Sequence, residues 1–192
     1  MLIDYTYFSG MISLPNLDKA LNQAKVTEAI TTYEDEILER VLGANLFTSY
    51  KTNPATARFL NLINGGVSFS FDLNGKTINR IWNGLKVKGQ SFIACYVYYQ
   101  YQINNVTFTT GLGEMEAKAE LSQRASINDK AVKAINKASE LIGQGTVIEK
   151  SELENYQHSD DAASLFNYLL ANKSIFPEWE FTPLKKINVF GF

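Results

Sequence analysis

The run Phe92-Ile93-Ala94-Cys95-Tyr96-Val97-Tyr98-Tyr99-Gln100-Tyr101 constrains the fold of this chain more than any other stretch. It lies in a segment, Ile81 to about Ile103, whose pattern predicts a central helix. Phe92, Cys95, Tyr96 and Tyr99 share one stripe of that helix, while Val97, Tyr98 and Tyr101 lie off it. A helix that is apolar almost all round has to be enclosed, so the remaining chain must supply a shell around it. The tyrosines suit a packed setting in which each phenol still reaches a polar partner. A platform for stacking bases would need basic residues interleaved with the rings, and this run has none. Cys95 reads as a small core residue, because its neighbours offer no electropositive, exposed setting for a reactive thiol.

The shell is mostly helical. Thr27–Leu42 places Ile30, Tyr33, Ile37, Leu38 and Val41 on one face, with Glu34, Asp35, Glu36 and Glu39 on the solvated remainder. Gly43 is a suitable stop. Ala44–Lys51 and Pro54–Ile63 read as short helices, the second with Pro54 in its first turn. After the break at Asn64-Gly65-Gly66, Val67, Phe69 and Phe71 alternate with Ser68, Ser70 and Asp72, a period of two. Asn74-Gly75 supplies a type I′ turn, so Val67–Asn79 is expected to form a β-hairpin. An isolated hairpin is marginal in water and needs the domain's own helices or another subunit as a partner.

Beyond the central helix, Asn104–Gly113 reads as a loop and Glu114–Arg124 as a weakly amphipathic helix. Ser126 is an N-cap for a helix over Ile127–Ile142, which buries Ala131, Ala134, Ile135, Ala138, Leu141 and Ile142 and ends at Gly143 and Gly145. A last helical region covers Lys150–Leu170, interrupted near His158. Ser159 or Asp160 caps its second half, which buries Ala162, Leu165, Phe166 and Leu169. The expected fold class is therefore mainly α: a small bundle around a buried Tyr-rich helix, with an inserted hairpin at 67–79 and extended terminal arms. A helical domain over 1–172 includes an N-terminal arm at 1–15, and an aromatic docking tail occupies 173–192.

Both ends are unusually aromatic. The arm carries Tyr5, Tyr7, Phe8, Met11, Ile12 and Leu14, and the tail carries Ile175, Phe176, Trp179, Phe181, Leu184, Ile187, Val189, Phe190 and Phe192. The tail is too interrupted by Pro177 and Pro183 for one long helix and too apolar to stand free in water, so it must dock, with a partner chain as one destination. The residues expected to meet partners are Tyr7, Phe8, Phe69, Phe71, Asn74, Gly75, Phe176, Trp179, Phe181, Phe190 and Phe192.

Chemistry-bearing residues are sparse. One cysteine among 192 residues excludes an intramolecular disulfide and multi-cysteine zinc sites. One histidine excludes the two-histidine metal motifs. His158 has no identifiable serine, cysteine or carboxylate partner for base catalysis, and Gly111-Leu112-Gly113 does not form a phosphate cradle. No enzyme activity, cofactor or metal is expected. No window approaches a membrane span, and the segment around Asp4 lacks the basic start of a signal peptide. The formal charge of −2 argues against a protein that coats nucleic acid. It conceals a segmentation: 1–40 holds seven acids and three bases, 41–110 one acid and six bases, and 111–192 twelve acids and nine bases. A basic middle between acidic ends can pair across a self-association interface, or be balanced within one monomer.

Several stretches, in order and spacing, resemble the head-to-tail connector (adaptor) proteins of tailed bacteriophages and prophages, in particular those of viruses of the Bacteroidetes. They are Tyr7-Phe8-Ser9-Gly10-Met11-Ile12-Ser13-Leu14-Pro15, Tyr33-Glu34-Asp35-Glu36-Ile37-Leu38, Leu42-Gly43-Ala44-Asn45-Leu46, Ile81-Trp82-Asn83-Gly84-Leu85, and Cys95-Tyr96-Val97-Tyr98-Tyr99-Gln100-Tyr101 followed by Thr110-Gly111. The likeness covers most of the first 115 residues, and the later part matches only in general character. It implies a structural virion protein at the head–tail junction, present in the host cytoplasm during assembly. Such a subunit would form a homo-oligomeric ring, commonly a dodecamer, beneath the portal protein and against tail or further adaptor proteins. DNA would pass through the bore without sequence-specific binding, past acidic chain ends to which it would not stick. The hairpin would add to a neighbour's sheet or project towards the next ring, and the arm and tail would embrace adjacent subunits or the portal. The competing reading is a monomeric or dimeric helical binding domain with a peptide- or protein-docking groove, which requires the tail folded back on its own core.

Overall fold

The buried tyrosine run sits at the centre of a mainly helical domain. The computed structural model describes residues 1–89, 91–104, 107–110, 113–116, 127–143, 162–182, 184 and 187. Among them are six helices: α1 (Ala20–Leu42), α2 (Ala44–Thr52), α3 (Ala57–Asn64), α4 (Phe92–Asn104), α5 (Ile127–Ile142) and α6 (Leu165–Ala171). Two antiparallel hairpins accompany them, one of β1 (Val67–Leu73) and β2 (Lys76–Trp82), the other of β3 (Thr107–Thr110) and β4 (Gly113–Glu116). Short 3₁₀ turns at Tyr5–Tyr7 and Gly10–Ile12 shape the N-terminal arm.

α4 is enclosed as its composition demands. Every residue from Phe92 to Tyr98 is buried, with α1 on one side and α5 on another. The helix starts at Phe92 because Ser91 caps it, its Oγ accepting from the Ala94 amide at 3.2 Å. Ile81 and Trp82, expected in this helix, instead complete β2 opposite Ser68 and Val67. Period-two pairing with β1 holds them extended against their helical pattern. The phenols find partners, as buried tyrosines require. Tyr96 donates to Glu36 Oε1 on α1 and accepts from Gln100 Nε2, while the Tyr33 hydroxyl accepts from Asn104 Nδ2.

α1 begins at Ala20, seven residues before the expected start at Thr27. The entry has no capping side chain on Lys19; the Asn22 and Gln23 side-chain amides donate back to the Asn16 and Leu17 carbonyls instead. Glu34, assigned to the solvated face, is buried. Its carboxylate accepts the Leu2 amide at 2.8 Å from both oxygens and the Ile3 amide at 3.1 Å. The arm thus crosses α1 with Leu2, Ile3, Tyr7, Phe8 and Ile12 in the core. Replacing Glu34 by Ala would strand two buried amide donors, at about 1–3 kcal/mol each. We expect Glu34→Ala to lower the unfolding free energy by about 3 kcal/mol in urea titration, and Glu34→Gln, which keeps one acceptor, by less.

Other boundaries shift modestly. α3 starts at Ala57, leaving Pro54 outside the helix. The loop expected over Asn104–Gly113 and the helix expected from Glu114 give way to β3 and β4. Ile127–Ile142 is helical as expected and stops at Gly143, and the final helix is capped by Ser164, whose Oγ accepts the Asn167 amide. The Ser126, Ser159 and Asp160 caps, Gly145 and His158 lie outside the described residues.

The largest departure concerns the tail. Phe176, Trp179, Phe181 and Leu184 are buried in the same core as α1, α3 and α6. Trp179 Nε1 donates to the Val41 carbonyl at 3.0 Å, and the Glu180 amide donates to the Leu42 carbonyl at 3.4 Å. Both satisfy carbonyls at the end of α1 that have no partner within the helix. Ser139 Oγ donates to the Leu184 carbonyl, and the Asn136 amide exchanges two hydrogen bonds of 2.9 Å with the Ile187 backbone. Arg58 on α3 forks onto Glu178 at 3.0 and 3.1 Å, also reaching the Ile175 carbonyl and Ser49 Oγ. The segment has little regular structure of its own, so its sequence looks like an arm, but edge-on contacts of Trp179 and Phe181 with Phe166 fasten it to the core.

Candidate interaction surface

Seven of the eleven side chains expected to meet partners are spent on the chain's own core. Tyr7, Phe8, Phe69, Phe71, Phe176, Trp179 and Phe181 are all buried within this one subunit. Apolar arms and a hairpin face bury aromatic area wherever it is nearest, and here that place is the same chain. Asn74 and Gly75 are exposed at the hairpin tip. Phe190 and Phe192 lie outside the described residues.

Among the described residues, the outer side of the first hairpin is an exposed surface on a firmly held element. Its inner face is anchored by stacked and edge-on rings. Trp82 stacks on Tyr168 with centroids 5.2 Å apart, Phe69 meets Tyr168 edge-on at 5.5 Å, and Phe69 stacks on Phe71. Trp82 Nε1 donates to the Leu62 carbonyl at 2.8 Å. The base is clamped by chain crossing chain: the Gly66 amide donates to the Trp82 carbonyl, and the Leu85 and Lys86 amides both donate to the Ile63 carbonyl. Tyr7 donates its hydroxyl to the Lys86 carbonyl, tying the arm to the segment after the hairpin.

The outer face pairs Ser68 with Ile81, Ser70 with Asn79 and Asp72 with Thr77, and all six are exposed. Ile81 is 57% exposed, a large apolar side chain left on a polar strand face. Asp72 Oδ1 accepts from Thr77 Oγ1 at 2.9 Å. An open groove of about 580 Å³ lies between this face and Ala163, which enters α6. Its walls come from Ser68, Phe69, Ser70, Asn79, Arg80 and Ile81, a lining without a nucleophile–base pair.

Reactive chemistry is not gathered elsewhere among the described residues. No three His, Cys, Asp or Glu side chains converge as metal ligands there, and no described helix is long and apolar enough to cross a membrane. Cys95 is buried, and burial pushes its thiol up to about 11. Burial, followed by the hydrogen bond to Glu36, pushes the Tyr96 phenol up to about 12. For both groups the protonated form is favoured in the folded state. Their stabilisation is complete below the unfolded pKa and is lost as pH climbs through the folded one. Cys95 therefore contributes a loss between pH 9 and about 11, worth roughly 3 kcal/mol at 1.36 kcal/mol per unit. Cys95→Ala should flatten that part of the alkaline stability curve measured by denaturant titration. At pH 8 a thiol reagent should label native wild-type protein only as fast as it unfolds.

Comparison with protein families, with curated proteins and with solved structures returned no match to this chain.

Proposed function

We propose that this chain is a structural subunit of a head-to-tail connector ring in a tailed bacteriophage or prophage, with no catalytic step of its own. The observation that carries the reading is the first hairpin. A small helical domain holds it rigidly by its inner face and its base, and leaves its outer side open to solvent. The resemblance to connector proteins over most of the first 115 residues supports the same reading. In the assembled particle the subunit would sit between portal and tail proteins with DNA in the bore.

One observation favours the competing reading, a monomeric or dimeric binding domain. The tail folded back through Trp179 and Phe181 is the arrangement that reading requires. Light scattering at increasing concentration, with and without a portal protein, separates the two. The connector reading expects a closed oligomer, seen as a ring by electron microscopy. A strict monomer at high concentration, even with portal present, overturns it in favour of the binding domain.

A further inference from the structure

The sequence holds three Asn-Gly pairs, Asn64-Gly65, Asn74-Gly75 and Asn83-Gly84, and all three asparagines are exposed. The structure separates them by how freely the peptide after each asparagine can turn. Two of the pairs lock each other at the crossing beneath the first hairpin. The Gly65 amide donates to the Asn61 carbonyl at 3.0 Å, closing the end of α3. A Cβ on Gly65 would stand 2.3 Å from the Gly84 nitrogen, and one on Gly84 would stand 2.7 Å from the Gly65 nitrogen. The two asparaginyl peptides are thus packed directly against each other, and the bonds of Gly66 to Trp82 and of Leu85 to Ile63 hold them there. The third pair is different. The two-residue turn pairs Leu73 with Lys76, which leaves the Asn74-Gly75 peptide outside the ladder. Nothing lies within 4 Å of the position a Gly75 Cβ would take. Among the described residues, the Gly75 amide has no backbone partner outside the hairpin.

We propose that Asn74 is a site of spontaneous, irreversible modification in the folded chain, with water as the co-reactant, and that the crossing protects Asn64 and Asn83. The Gly75 nitrogen attacks Cγ of the Asn74 side chain. A bond from that nitrogen to Cγ forms, the Cγ–Nδ2 bond breaks, and the side-chain nitrogen leaves as ammonia with the proton of the Gly75 amide. Water then opens the five-membered imide, its oxygen going to one of the two carbonyl carbons and a proton back to the nitrogen. Opening at Cγ gives aspartate at position 74. Opening at the backbone carbonyl gives isoaspartate, in which the main chain runs through the side chain and gains one carbon. Glycine favours the attack because it has no Cβ to obstruct the nitrogen's approach and because its φ is little restricted. Both products carry a negative charge where the amide was neutral, two residues from Asp72 and two from Lys76. Isoaspartate also lengthens a turn whose type is set by its length. The tip then loses its tight closure while the aromatic base stays clamped. Asn64 and Asn83 react only when the crossing opens, so their rates fall with the population of that open state. The hairpin tip thereby records the age of each copy, whatever the chain assembles with.

The full folded chain, aged in mildly alkaline buffer beside a sample held in urea, tests this. Peptide mapping with fragmentation that tells aspartate from isoaspartate reads each asparagine separately. In the folded sample Asn74 is expected to convert about tenfold faster, or more, than Asn64 or Asn83. In urea all three should convert at similar rates, because each is followed by glycine and the crossing no longer exists. Gly75→Ala, which places a methyl group beside the attacking nitrogen, should slow Asn74 about tenfold in folded protein. Should that variant lose its cooperative melt, the comparison among the three wild-type sites carries the test alone. Equal conversion at the three sites in folded protein, or conversion of Asn64 or Asn83 ahead of Asn74, overturns the proposal. So does an Asn74 that stays intact in the folded chain while the urea sample converts.

Discussion

Deleting Ser174–Phe192 is expected to abolish the cooperative fold. The deletion removes Phe176, Trp179, Phe181 and Leu184 from the core, together with the Trp179 donor to Val41 and the Leu184 acceptor for Ser139. Losing a large buried side chain costs about 2–5 kcal/mol each, so four remove roughly 10 kcal/mol. A domain of this kind has about 5–15 kcal/mol in total. Near-ultraviolet circular dichroism should collapse and thermal unfolding should lose its sigmoid. A truncated protein that melts cooperatively within a few degrees of wild type would show that the tail is an accessory arm. Trp179→Ala alone should cost about 4 kcal/mol, because it empties a site with 2% exposure and strands the Val41 carbonyl.

Gly84→Ala is expected to be among the most damaging single substitutions outside the aromatic core. Gly65 and Gly84 meet back to back where the chain enters and leaves the hairpin. A Cβ on Gly84 would stand 2.6 Å from the Asn64 carbonyl carbon, and one on Gly65 would stand 2.1 Å from the Asn83 carbonyl carbon. These are backbone atoms, which no rotamer change can clear. Both glycines also have positive φ, at +92° and +69°, which costs an L-residue about 1–2 kcal/mol before any overlap. Separating the crossing breaks the bonds of Leu85 and Lys86 to Ile63 and of Gly66 to Trp82. The expected loss exceeds about 4 kcal/mol, the range reserved for changes with a named structural cause. Gly75→Ala is the internal control. Its φ is +76° with open space around the missing Cβ, so urea titration should show only about 1 kcal/mol of loss. Equal losses at Gly75 and Gly84 would mean that backbone conformation, and not the crossing, sets the cost.

The elements that local pattern determines were legible in the residues. The Asn74-Gly75 turn with its alternating flanks, the buried run at Phe92–Tyr98, and the helix from Ile127 to Ile142 needed only near neighbours in sequence. What the pattern missed was decided by distant partners. Glu34 looks like any acid on a helix face, and only the arriving amides of Leu2 and Ile3 make it a buried one. The early start of α1 depends on Asn22 and Gln23 reaching back to Asn16 and Leu17, while the residue at the cap position, Lys19, has no capping side chain. Aromatic residues in a proline-broken tail state that the tail must dock and say nothing of where. Its address lies in Val41 and Leu42, far away in sequence, as well as in the nearer Phe166.

The bond from Trp179 to Val41 spans 138 positions, and that span fixes an order of events during synthesis. Helix α1 leaves the ribosome well before the groups that cover its final carbonyls are made. A growing chain can wind α1 and pair the first hairpin early, since those contacts are local. It cannot close its core until the residues around Trp179 have emerged. Until then the nascent chain carries an uncovered aromatic seam, which shuts only when Trp179 reaches Val41.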